Sequence, residues 1–250
     1  MSLRLTYIDV IKEVSEYLGT GDIPVDRDKR KAQEIVNKGY RKFLFPRNAS
    51  NGKRHYWSFL ETQQTLTTKS GQYRYMLPEN LDKIKRGFIY STDTGYSYLK
   101  SISNKALLQY RALSDSSSHP SMYTVMNDKY SKDKGTQKEV WFVDTPDSIY
   151  ELSYSYYFIP PELEDDDDLF VGGAWYDETI LACALAAAEV KYNHVIGDMS
   201  KHADRLVKQA IMADQSTKPD RLGLNLDPGI QHCKIKRPLP AVPMEDVYTD

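Results

Sequence analysis

Long apolar runs are missing from this 250-residue chain. The longest is "ILACALAAA", Ile180 to Ala188, and nine residues fall well short of the roughly 20 that a membrane-spanning helix needs. The opening "MSLRLTYIDVIKE" lacks the charged-then-apolar pattern of a secretion signal. The two cysteines, Cys183 and Cys233, form neither a zinc spacing nor a CxxC, and read as reduced thiols. Net charge is -2, so no global pull toward nucleic acid or membrane is expected. These absences together predict a soluble, non-secreted protein without a membrane partner.

Catalytic signatures are missing too. The chain contains no GxxxxGK[ST], GxSxG, HExxH or GxGxxG. "GTG" at 19–21 follows a helix pattern rather than a strand, so it reads as a helix stop. His194, Asp198 and His202 have the i, i+4, i+8 spacing of metal ligands on one helix face, but Gly197 between them predicts a break and a solvated junction. The run Asp165–Asp168 lacks the alternating ligands and the glycine of a calcium loop, and reads as a solvated loop. His55 and His119 have no nucleophile pattern beside them. The expectation is a protein that is not an enzyme and holds no cofactor or metal.

What is present is tyrosine, 19 residues against seven phenylalanines. A phenol buries a ring and keeps a polar tip, which suits half-wet surfaces and interfaces, although tyrosine is also a common strand residue. Periodicity predicts helices over 6–18 and 26–44, the second with a stripe of Ala32, Ile35, Val36, Gly39, Tyr40 and Phe43 and a stop at Pro46. From Tyr56 to Pro160 the pattern turns strand-like. "TTKSGQY", "STDTGYS" and "SKDKGTQ" each place a glycine where a hairpin wants positive φ. Over 148–160, Tyr150, Leu152, Tyr154, Tyr156 and Phe158 share one strand face. One short helix near 103–112 interrupts this region. Helical spacing returns over 174–195 and 198–213.

The predicted class is therefore α+β. Residues 1–50 and 172–214 form a helical bundle, with a β-sandwich or barrel-like domain (55–160) inserted. An acidic loop (161–171) and an extended C-terminal arm (215–250) complete it. The "HYWSFL" aromatics raise three options: core, base-stacking platform or sugar platform. Base stacking wants interleaved cations, and after Arg54 the next is Lys69. Trp57, Phe59 and Trp141 are therefore read as anchors of the β domain, with a carbohydrate- or receptor-binding face as the alternative.

Three further surfaces follow. Residues 27–54 hold ten Lys/Arg against Asp28 and Glu34. Arg27, Arg30, Lys31, Lys38, Arg41 and Lys42 fall opposite the apolar stripe, as a solvated face or a contact for DNA or an acidic partner such as a neighbour's 162–168. The helix around "ETILACALAAAEVKY" is apolar nearly all round, and Ala184, Leu185 and Ala187 are expected at a subunit-subunit contact, which the resemblance given below makes a ring interface. The tail carries five prolines and "KIKRPLP". Lys234, Ile235, Lys236, Arg237, Leu239 and Val242 are expected to act as an arm that docks on a partner.

Six stretches spread along the chain belong together: "IVNKGYRKFLFP" (35–46), "HYWSFL" (55–60), "GQYRYMLPENLDKI" (71–84), "HPSMYTV" (119–125), "LSYSYYFIPPEL" (152–163) and "ADQSTKPDRLGLNLDPG" (213–229). In their order and spacing, over nearly its whole length, the chain resembles the head-to-tail adaptor (tail-gatekeeper) proteins of tailed, especially short-tailed, bacteriophages. The resemblance implies a helical bundle with a β domain, in a twelve-membered ring below the portal with genomic DNA passing through its centre. It also implies portal and tail nozzle, hub or fibre proteins as partners, and a place at the head-tail junction of the virion after assembly in the host cytoplasm.

Overall fold

The computed structural model describes residues 4–216, apart from 22–25, 48–51, 92–94, 97, 114–115, 129 and 133–134. The first helix, α1 (Tyr7–Tyr17), starts where Thr6 meets Asp9. The Asp9 carboxylate accepts from the Thr6 amide at 3.0 Å and from its hydroxyl at 2.6 Å. These bonds hold its pKa below the usual carboxylate range. The next amides, Tyr7 and Ile8, are capped by the carbonyls of Asp168 and Asp166 at 2.9 and 3.0 Å. The acidic segment thus keeps most of its carboxylates in water while its backbone closes a helix end.

α2 (Asp26–Leu44) lies against α4 (Asp177–Asn193), which also packs on α5 (Asp198–Ser216) and α1. The α2 stripe is buried as its spacing predicts. Gly39 belongs to it for a steric reason. A Cβ there would sit 2.4 Å from the Ala184 Cα, so the two helix backbones touch at this point. The same contact accounts for the apolar character of α4. Its apolar middle packs against α1, α2 and α5, and Ala184 is fully buried inside the chain.

Between α2 and α4 the chain builds two sheets. β1 (Glu61–Thr67), β7 (Glu151–Phe158) and β3 (Leu81–Tyr90) form one, in the order β1-β7-β3. β2 (Arg74–Met76), β6 (Lys138–Phe142), β5 (Met122–Asn127) and β4 (Lys100–Ser101) form the other, in the order β2-β6-β5-β4. Phe88 of one sheet meets Phe142 of the other edge-on, with ring centroids 6.1 Å apart. β4 and β5 are parallel, so the helix between them, α3 (Asn104–Leu113), is a crossover connection. Gly71, Gly95 and Gly135 all adopt positive φ. Gly135 alone of the three joins strands that pair, β5 and β6. Gly71 and Gly95 lie where the chain passes from one sheet to the other, so these two glycines turn sheet corners instead of hairpins.

β7 is the seam of the molecule. Leu152, Tyr154 and Tyr156 on one face join the core between the sheets. Tyr157 on the other face joins the core of the helices.

Candidate docking surfaces

The "HYWSFL" aromatics correct the first expectation. Trp57 is fully buried, but in the helical core. Its ring stacks on Phe43 of α2 at 4.8 Å, and its indole N–H donates to the Phe43 carbonyl at 2.9 Å. Phe59 stacks beside both and reaches Tyr176 at 5.2 Å. These two side chains anchor the hinge segment to the helices, not to the sheets. Trp141 does lie in the β module, on the inner strand β6, and is half-buried. The Arg74 guanidinium covers it at 3.6 Å, and Tyr73 meets it edge-on.

Two buried carboxylates, both absent from the expectations, hold the helical part together. Asp214, near the end of α5, faces the Nε2 of His55 at 2.8 Å and accepts from the Ser58 amide at 3.0 Å and from the Ser58 hydroxyl. Glu189 of α4 accepts from the amides of Gly197, Met199 and Ser200 and from the Ser200 hydroxyl, at 2.8–3.3 Å. Burial works to raise the Glu189 pKa, but the Ser200 amide and hydroxyl, with Met199 and Gly197, outweigh it and lower the value. This carboxylate sits on the N-terminus of α5, where unpaired amides favour an anion.

The turn that Glu189 pins is itself unusual. His194 ends α4 in the left-handed conformation, and the following Val195 and Ile196 are 60% and 73% exposed. Tyr192 and Val190 add to that patch, and Trp175 stands 79% exposed at the opposite end of α4. Exposed apolar clusters of this kind mark contact sites. His202 bonds to Arg205 at 2.9 Å, and no three metal-ligating side chains converge among the described residues.

The basic face of α2 is where its spacing puts it. Arg27, Arg30, Lys38, Arg41 and Lys42 are exposed, and Lys31 is half-buried. Lys31 pairs with Asp28 and Lys42 with Asp204, each at 3.0 Å. Arg27, Arg30, Lys38 and Arg41 have no side-chain partner among the described residues. Beside this face runs a cleft of about 820 Å³, whose far wall is the 159–164 segment. Lys29 reaches Asp166 of the same chain at 2.8 Å. A second groove, of about 780 Å³, lies between the end of α2 and the second half of α5.

Of the expected ring contacts, Ala184 is sealed inside the chain, while Leu185 and Ala187 are half-buried against the same core. The all-round apolar stretch of α4 at Ala184 therefore supplies no argument for a subunit contact; only its exposed end, with Val190 and Tyr192, does. Lys234, Ile235, Lys236, Arg237, Leu239 and Val242 lie outside the described residues. No helix among the described residues is long and apolar enough to cross a membrane.

The model of one protein family, described as SU10 adaptor protein, matches residues 5–222. The chain belongs to the SU10 adaptor protein family. No curated protein matches it. Membership identifies a structural adaptor of bacteriophages. It implies a virion component at the head-tail junction, associated with portal and tail components. The adaptor's match spans α1 through α5, so both cores and the seam strand β7 fall inside it.

Proposed function

We propose that this adaptor closes into a twelve-membered ring below the portal, joins the portal to the tail, and lets genomic DNA pass through its centre without reading sequence. The family match over residues 5–222 carries the reading. The cations Arg27, Arg30, Lys38 and Arg41, without a side-chain partner among the described residues, support it as a contact face for DNA phosphates or an acidic neighbour. Ring contacts fall to exposed apolar residues such as Val195, Ile196 and Trp175, because Ala184 is occupied within the chain. The segment Lys234–Val242 is the arm that docks on the portal.

Negative-stain imaging of the subunit with and without its portal tests this. A twelve-fold ring seated on the portal is the expected result. A subunit that stays monomeric beside an intact portal overturns the ring, and glycan binding by that monomer would support the carbohydrate reading instead. The arm is tested by truncation after Ser216, which leaves the Asp214 contacts with His55 and Ser58 intact. Unchanged portal affinity in that variant sinks the docking arm.

A further inference from the structure

The groove between α2 and α5 has an apolar floor and a basic rim. Phe45, Val207, Ile211 and Met212 line the floor, and Met212 is 70% exposed. Arg47 and Lys208 stand at the rim, exposed and without a side-chain partner among the described residues. Lys42 adds a third cation, and Asp204, its ion-pair partner, is the sole carboxylate in the lining among the described residues. Such a groove suits an amphipathic acidic segment. Gln215 also lines it, so the chain leaves α5 at the groove's own edge.

The sequence beyond contains one segment of matching chemistry. In "PMEDVYTD", Pro243–Asp250, the apolar residues Met244, Val247 and Tyr248 follow at i, i+3 and i+4, the spacing of one helical face. Glu245, Asp246 and Asp250 supply negative charge and no cation offsets them. The preceding "KIKR", Lys234–Arg237, carries the same sign as the rim and is repelled by it. Residues 217–242 between helix and segment can span about 85–95 Å when extended, whereas all of α5 is about 28 Å long. A tether of this length holds the segment near its own groove at an effective concentration on the order of millimolar.

We propose that in the free adaptor subunit Pro243–Asp250 docks in the α2–α5 groove of the same chain. Met244, Val247 and Tyr248 cover the floor, and Glu245, Asp246 and Asp250 meet Arg47, Lys208 and Lys42. The arm is then stowed by its acidic end while its basic part stays outside the groove. This holds whether or not the subunit forms a ring.

The test uses the full chain carrying Cys233→Ser, Met212→Cys and Val247→Cys, mildly oxidised and run on a non-reducing gel. An intrachain disulfide should form at a rate independent of protein concentration. Adding Arg47→Glu and Lys208→Glu should slow it about tenfold, and adding Glu245→Lys and Asp246→Lys to those should restore it. Arg47, Lys208 and Met212 are exposed, so circular dichroism should show every variant folded. A rate no faster than that of a control pair, Ile196→Cys with Val247→Cys, overturns the proposal. So does cross-linking between chains that rises with concentration, which would assign the groove to a second copy. Indifference to the charge changes overturns the rim pairing.

Discussion

Among the described residues, seven of the 25 buried around the helices are alanine, whereas the twelve between the sheets include none, and five of those twelve are tyrosine. The two regions bury bulk in different ways. Alanine and Gly39 let helix backbones touch, so the helical core depends on close fit. The β core fills its volume with phenols, each of which must bring its hydroxyl to a partner. Tyr75 donates to the Gln72 carbonyl at 2.7 Å, Tyr90 to that of Pro120 at 2.6 Å, and Tyr154 to the Gln64 side chain at 3.1 Å. Burial raises these phenol pKa values, that of Tyr154 to about 12, so they stay neutral donors. This explains the tyrosine excess: much of it is core whose tips end in hydrogen bonds.

The comparison breaks most sharply at Trp57. Trp57→Ala should cost about 3–5 kcal/mol, since it empties the stack with Phe43 and Phe59 and leaves the Phe43 carbonyl without its donor. Urea unfolding followed by circular dichroism measures it. A loss below about 1 kcal/mol would remove Trp57 from the helical core.

Gly39→Ala and Gly87→Ala form a matched pair. The new Cβ at Gly39 meets helix backbone, while at Gly87 it meets the Tyr123 hydroxyl, the far end of a side chain, also at 2.4 Å. The first should cost about 2–3 kcal/mol and the second less than about 1. Equal costs would erase the distinction between a core of touching backbones and a core of adjustable phenols.

Tyr90→Phe should cost about 1 kcal/mol, since it strips the buried Pro120 carbonyl of its donor. Tyr40→Phe tests the same change in the helical core, where the Val171 amide donates to the phenol at 3.1 Å. Thermal unfolding of both variants compares the regions directly.

An effect of similar size depends on pH. Asp9→Ala should cost about 1 kcal/mol at neutral pH through loss of the helix cap. Because folding lowers the Asp9 pKa, its stabilisation is present above the unfolded value and lost as pH falls through the folded one. The gap between wild type and variant should therefore close in acid. A gap that does not narrow at all as pH falls below the ordinary carboxylate range would assign the effect to something other than the carboxylate.

Much of this fold was legible because helical period is local. α1 and α2 start and stop within a residue or two of the spacing pattern, and the tyrosine face of β7 alternates as read. Glycine backbone angles were legible for the same reason. Strand pairing was not, because a corner at Gly71 and a hairpin at Gly135 use the same residue chemistry. Nor does an aromatic run state which core it enters: Trp57 and Phe59, which open the strand-like region, pack into the helical core. α4 looked like a subunit contact because all-round apolarity does not distinguish a neighbour chain from the same chain's α1, α2 and α5. Asp214 and Glu189 were invisible since their partners lie 156–159 and 8–11 residues away.

Cys183 gives the buried α4 a practical consequence. Burial pushes its thiol pKa up to about 12, so at ordinary pH it is almost never the thiolate that alkylating and oxidising reagents attack. Of the chain's two thiols, that leaves Cys233. A maleimide dye added to the native protein should mark that position alone, placing a single-site reporter one residue ahead of "KIKR" without any engineered cysteine.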